Sequence, residues 1–509
     1  MSRVNYALKN IKVNLIFYLL YTFVGFFSRK IFLDYLGAEF LGVVGTLQSI
    51  LGFLNLAELG IGTAIGFALY KPLLDNDREQ LNKIVSLMGF LYKRVALLVL
   101  SIAIIYSFFI GYSFENTSFS LGLILYCFYA FLFSSLLGYL VNFHQTLLQA
   151  DQKEYIITSY LQTSNIIRLI LQTAIAYYYA NLYLWISLEL VFSIIYSFII
   201  RYRLKQQYPW LDFNLKTTKE VLADFKDIIV TIKRVFVHKI SAFVTYGTDQ
   251  LLIFALVSVT SVAFYQNYLI IFTMLQNIVG KMFSGLNAGV GNLIAENNPK
   301  QIGKVFWEMM TLRFFMAGFT ALNLYYLIDS FIVIWIGEKY VLEHDIIILM
   351  AINYFVLVAR MPIDTFIHAY GLYKDTWAPI VEIVLNLGIS IFCGMIWGIK
   401  GIIFGTTISV TSILVFWKPY YLFSSGFKKS VLQNFWGYFI KLLLAILIPA
   451  FAVSYLKDII VSTVPDTYLN WFLYAIQLNV ILLVVLLPCM FFFAKGFKDL
   501  IDRVVKRKG

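Results

Sequence analysis

Glu58 lies in Asn55-Leu56-Ala57-Glu58-Leu59-Gly60-Ile61-Gly62-Thr63-Ala64-Ile65, a carboxylate among glycines in an apolar run too long for a soluble core helix. A charge at membrane depth costs at least about 2.5–3.5 kcal/mol on insertion scales, so it usually faces a cavity or a partner. Arg29, Arg168, Asp249, Lys281, Arg360 and Asp364 share that situation. Two chemistries follow from these types. A buried carboxylate can carry a proton or cation, gate a path or accept hydrogen bonds from sugar hydroxyls. A guanidinium grips phosphate through two parallel hydrogen bonds, and an ammonium attracts it as a point charge.

Each charge also has a plainer reading. Arg29 can snorkel to headgroups near the outer end of the first span. Arg168 and Lys281, read as the deepest cations, can sit in internal ion pairs. Arg360 and Asp364 are one helical turn apart and can pair locally, with His368 and Glu382 near them. Glu58 can bond a neighbouring helix. Catalysis is not expected, since there is no substantial external loop to carry an acid and a base, and without a Gly-x-x-x-x-Gly-Lys-Ser/Thr phosphate loop the chain is not expected to power itself with nucleotide. No cofactor or metal is implied.

The elements that hold these charges are membrane spans. The chain has 509 residues, 60% hydrophobic and 13% charged, with mean hydropathy +0.79; soluble domains carry about 25% charged residues. Cys127, Cys393 and Cys489 fall in apolar runs without ligand spacing, which makes them small hydrophobes. The first apolar run has no small-residue cleavage site and reads as a retained signal anchor. The net charge of +12 lies beside the spans, so it points to topology and anionic headgroups, not nucleic acid.

Hydropathy places about 14 helices at 11–33, 40–69, 92–113, 120–147, 155–179, 182–200, 235–256, 259–295, 313–335, 345–368, 377–397, 401–423, 438–456 and 469–493. With the N-terminus inside, internal segments hold 32 of the 40 Lys and Arg and external ones hold 5. That bias predicts two cytoplasmic termini and an even number of spans. Trp185, Trp335, Trp397 and Trp471 lie near span ends and are expected as interfacial anchors. Pro362 and Pro449 are placed to kink their helices.

The expected organisation is a six-helix lobe over 1–205, a cytoplasmic amphipathic linker over 206–234, a second six-helix lobe over 235–425, and two further helices with a basic tail over 426–509. The linker carries Val221, Leu222, Phe225, Ile228, Ile229 and Ile232 at helical spacing, and the tail repeats the pattern with Phe497, Leu500 and Ile501. Both read as helices on the inner leaflet. Two matches suggest duplication: Leu41-Gly42-Val43-Val44 with Val262-Ala263-Phe264-Tyr265, and Glu58-Leu59-Gly60-Ile61-Gly62 with Asn287-Ala288-Gly289-Val290-Gly291. Parallel repeats would face each other across a central cleft. Gly62-x-x-x-Gly66 and Gly285-x-x-x-Gly289 permit close helix approach.

Further strings carry a family likeness: Ser28-Arg29-Lys30-Ile31-Phe32, Tyr35-Leu36-Gly37-Ala38-Glu39-Phe40-Leu41-Gly42, the Glu58 segment, Leu69-Tyr70-Lys71-Pro72-Leu73, Gly247-Thr248-Asp249-Gln250, Tyr265-Gln266-Asn267-Tyr268 and Gly291-Asn292-Leu293-Ile294-Ala295-Glu296. Together these resemble the bacterial Wzx-like polysaccharide flippases of the multidrug/oligosaccharidyl-lipid/polysaccharide exporter superfamily. The resemblance implies two six-helix lobes in a V, plus two C-terminal helices, in the bacterial cytoplasmic membrane. It implies alternating access that moves an undecaprenyl-diphosphate-linked oligosaccharide from the inner to the outer leaflet for capsule, O-antigen or exopolysaccharide synthesis. Arg29, Arg168 and Lys281 are the candidates for the diphosphate. Glu58, Asp249, Arg360 and Asp364 are the candidates for gating or coupling, with Arg29 and Asp249 closing the outside and a proton or sodium as coupling ion. Partners are membrane lipids and the polysaccharide polymerase machinery. The alternatives are an ion-coupled multidrug exporter of the same superfamily and a membrane glycosyltransferase or polymerase.

Overall fold

The computed structural model describes residues 3–55, 60–212, 247–283, 298–372, 374–460, 465–494 and 496–500, with scattered positions across 228–244 and 290–296. Glu58, Asn287, most of the linker helix and the tail beyond residue 500 lie outside the described residues.

The fold is all-α. Among the described residues, ten helices are long and apolar enough to cross a membrane, and Ala38–Leu54 is a shorter apolar helix. In chain order the elements are α1 Arg3–Tyr35, α2 Ala38–Leu54, α3 Ile61–Asp75, α4 Arg78–Ser107, α5 Leu121–Leu140, α6 Glu154–Tyr179, α7 Leu182–Gln207, α8 Asp249–Leu256, α9 Val259–Phe283, α10 Pro299–Ile336, α11 His344–Ala359, α12 Met361–Ala369, α13 Trp377–Trp397, α14 Ile399–Val410, α15 Gly437–Ile460 and α16 Tyr468–Phe493.

Helix starts follow from short polar side chains that accept an otherwise unpaired backbone N–H. Asp77 Oδ1 accepts from Gln80 N at 2.9 Å, Asn181 Oδ1 from Leu184 N at 3.0 Å and Asn298 Oδ1 from Gln301 N at 3.3 Å. Pro299 then occupies the first turn of α10, where a missing N–H costs nothing. The apolar faces look outward: Phe198, Phe451 and Phe492 are each more than 70% exposed. Surfaces of that kind need lipid as their solvent, and the protein is a multi-pass membrane protein.

The chain forms two compact units, Met1–Ala263 and Phe264–Gly509. In the first, α1 lies along α6, α6 packs on α7, and α5 packs on both α4 and α7. In the second, α13 packs on α14, α10 on α11 and α15 on α16.

Several expectations change at this level. The predicted span 40–69 is two helices, because Gly60 adopts φ +100° between α2 and α3, a left-handed backbone that favours glycine. The predicted 313–335 span is the far part of α10, which begins at Pro299. Trp185 and Trp335 are buried within the protein, and Trp185 meets Phe32 and Phe40 at ring distances of 5.2 and 5.6 Å. At Pro362 the helix breaks, ending at Ala359 and restarting at Met361. The chain is also wound as π-helix over Thr411–Trp417, Leu422–Gly426 and Leu432–Trp436, a form concentrated at functional sites. Beyond α16 the tail folds onto α10. A Cβ at Gly496 would collide with the Trp307 carbonyl and Thr311 Oγ1, and Phe497 reaches the ring of Phe315.

Candidate functional site

Arg168 occupies the middle of α6, about 17 Å along the axis from the Tyr179 end. Its guanidinium pairs with Glu189 of α7, and the two side chains are 15% and 18% exposed. The pair is one rung of a ladder. One turn before it, Ser164 Oγ donates to Phe192 O at 3.4 Å; one turn after it, Gln172 Nε2 donates to Trp185 O at 3.0 Å. Residues four apart share a helix face, so Ser164, Arg168 and Gln172 join α6 to α7 turn by turn.

Arg29 is half-buried on α1, and its Nη2 donates to Ala263 O at 3.2 Å. Asp249 is buried at the start of α8, at 5% exposure. Its neighbour Gln250 accepts from Ser49 Oγ of α2 at 3.0 Å. The Gly42 backbone of α2 lies against Val259 at the start of α9, so closely that a Cβ would collide with the Val259 carbonyl. One point therefore gathers parts of α1, α2, α8 and the first turns of α9.

Lys281 is exposed in the last turns of α9, about 33 Å along the axis from Val259.

In the second unit Arg360 and Asp364 pair at 3.1 Å, on either side of the break at Pro362. Lys418, which follows the first π-helical segment, reaches the other oxygen of Asp364 at 2.9 Å. One carboxylate thus holds two cations. His368 lies one turn beyond Asp364, and Glu382 is buried on α13 at 7% exposure. Arg360 borders a cavity of about 670 Å³ between α10, α11, the π-helical segment and α15, whose lining is otherwise almost wholly apolar.

Three features escaped sequence reasoning. Glu189 and Lys418 are the partners just described. The third is a group at the opposite end of α10: Tyr268 OH donates to Asp329 Oδ1 at 3.3 Å, His344 Nδ1 lies 3.7 Å from Asp329 Oδ2, and Tyr325 OH is 3.0 Å from His344 Nε2. Glu189 and Asp329 carry the same signal as Glu58, a carboxylate inside an apolar run. Nothing local ties position 418 to 364. Among the described residues, no group of three or more His, Cys, Asp or Glu side chains gathers as a metal site.

These elements define an all-α, multi-pass membrane fold with paired charges buried within its helix bundles. That fold is similar to solved membrane transporters. A structure described as lipid II flippase MurJ in an inward closed conformation aligns with a TM-score of 0.69 and 18% identity, covering 96% of this chain and 99% of its own. An inward-facing multidrug resistance MATE family transporter of the MOP superfamily aligns with a TM-score of 0.59 and 13% identity, covering 82% of this chain and 99% of its own. The outward-facing conformation of such a transporter gives 0.56 and 12%, covering 84% and 97%. No protein-family profile and no curated protein sequence matches the chain.

Proposed function

We propose that the protein is a flippase that moves undecaprenyl-diphosphate-linked oligosaccharide repeat units from the inner to the outer leaflet of the bacterial cytoplasmic membrane by alternating access. The observation that carries this reading is the likeness to a lipid II flippase over 96% of the chain, a cargo class that shares a lipid diphosphate. The multidrug transporters cover 82 to 84%, and they support the second reading, an ion-coupled exporter of small molecules.

In the proposed cycle Lys281 of α9 meets the diphosphate as cargo enters. Arg29 meets it near the outer side. Arg168 has Glu189 as its counter-charge, and its proposed part is to hold the α6–α7 wall against which cargo moves. Arg29, Asp249 and the close approach at Gly42 form the proposed outer gate. Asp364, with Arg360 and Lys418, is the proposed coupling group of the second unit, and Glu58 that of the first.

The test is reconstitution of the purified chain in vesicles with a fluorescent undecaprenyl-diphosphate oligosaccharide in both leaflets. Protein-dependent loss of protection from an external quencher supports the flippase. Gradient-driven export of cationic dyes with no lipid movement replaces it with the multidrug reading.

A further inference from the structure

Three segments that the charge bias places on the cytoplasmic side meet in one basin: the start of α10, the turn after the second π-helical segment, and the chain beyond α16. The basin encloses about 710 Å³ and is lined by Lys300, Lys304, Lys428 and Lys429, against one carboxylate, Asp499, 3.8 Å from Lys304. Its wall is partly aromatic: Phe306 meets the rings of Trp307, Phe423 and Phe427, which also line it, at distances of 5.2 to 5.6 Å. Its wall also takes in Leu442 and Phe493, which belong to spanning helices. Lys428 holds φ +53°, a left-handed backbone that costs a lysine about 1–2 kcal/mol. Lys429 N closes the turn on Phe423 O at 2.9 Å. The strained turn places two adjacent ammonium-bearing residues on the rim.

We propose that this basin binds an anionic glycerophospholipid of the inner leaflet, with its phosphate head among the four lysines and the upper part of its chains along Leu442 and Phe493. The occupant follows from charge and shape. Four cations against one anion select a phosphate. Apolar wall residues from two spanning helices beside those lysines select a phosphate that carries acyl chains. Basic pockets between transmembrane helices on the cytoplasmic side bind anionic lipid heads in this way. The site is separate from the buried charges assigned to transport, and the inference stands whichever cargo the protein moves.

The experiment is native mass spectrometry of the full chain released from vesicles of phosphatidylcholine with 20% phosphatidylglycerol. The wild type is expected to retain one phosphatidylglycerol. The variant Lys300→Gln/Lys304→Gln/Lys428→Gln/Lys429→Gln is expected to bind it on the order of 100-fold more weakly, at roughly fivefold per lysine with partial additivity. The same four positions changed to Arg are expected to retain it, as is the control Lys71→Gln/Arg78→Gln/Lys83→Gln/Lys93→Gln. Equal retention by the four-Gln variant, or equal retention of phosphatidylcholine by the wild type, overturns the proposal. Displacement of phosphatidylglycerol by 10 mM inorganic phosphate alone shows a soluble anion site and also overturns it. Should the four-Gln variant not fold, Lys428→Gln/Lys429→Gln, with an expected loss of about 25-fold, makes the same decision.

Discussion

Arg168 of α6 and Glu189 of α7 neutralise each other in the middle of a helix seam, between the Ser164–Phe192 and Gln172–Trp185 hydrogen bonds. A cation that looks available for a phosphate in the sequence therefore has a counter-charge from the next helix. An ion pair buried in this way stabilises less than its geometry suggests, because both groups are desolvated. Removing one partner leaves the other charged and uncompensated.

Arg168→Met and Glu189→Met are each expected to lower stability by about 3–5 kcal/mol. The double variant is expected to recover most of that loss. Thermal unfolding in detergent checks this: a double variant no more stable than either single would show that the pair does not hold the seam.

Gly401 and Gly405 on α14 meet the backbone of Cys393 and Ser390 on α13 so closely that an added Cβ has no room. Gly401→Ala and Gly405→Ala should cost at least about 1–3 kcal/mol by overpacking. Gly388, on α13, has nothing within 4 Å of its Cβ position, and Gly388→Ala should be neutral or stabilise by up to about 1 kcal/mol. Comparing melting temperatures of the three variants tests the contrast.

Asp364 is the only carboxylate placed between Arg360 and Lys418 by the two ion pairs described. Asp364→Asn should therefore impair both stability and transport more than Arg360→Gln or Lys418→Gln, each of which leaves one cation in place. A larger effect from either cation change, measured by unfolding and vesicle transport together, counts against a shared carboxylate at this position.

Arg29 and Asp249 are the charged pair of the proposed outer gate. Arg29→Asp and Asp249→Arg should each reduce transport on the order of tenfold, the scale of 1.4 kcal/mol in coupling. The exchange Arg29→Asp/Asp249→Arg should restore part of it. A double variant as poor as the singles removes the charge pairing from the gate and leaves the Arg29–Ala263 hydrogen bond as the relevant contact.

The sequence by itself determined what depends on neighbours along the chain. Spanning helices are legible because hydropathy accumulates over about 20 consecutive residues. The caps at Asp77, Asn181 and Asn298 are legible because each acts within three positions. The Arg360–Asp364 pair is legible for the same reason, since the helix itself brings i and i+4 together. Tertiary structure decided everything that joins distant positions. Arg168 and Glu189 are 21 residues apart, Asp364 and Lys418 are 54 apart, and the Gly401 and Gly405 contacts need two helices in one register. Glycine pairs at 62 and 66 offer the same spacing, yet the neighbours nearest them are the flexible ends of Tyr92 and Thr146 side chains, at 3.2 and 3.9 Å. Spacing gives each residue a face, and only packing assigns what that face meets. In a membrane the apolar faces are all satisfied by lipid, so hydropathy cannot choose among helix partners; close packing and buried polar groups make that choice.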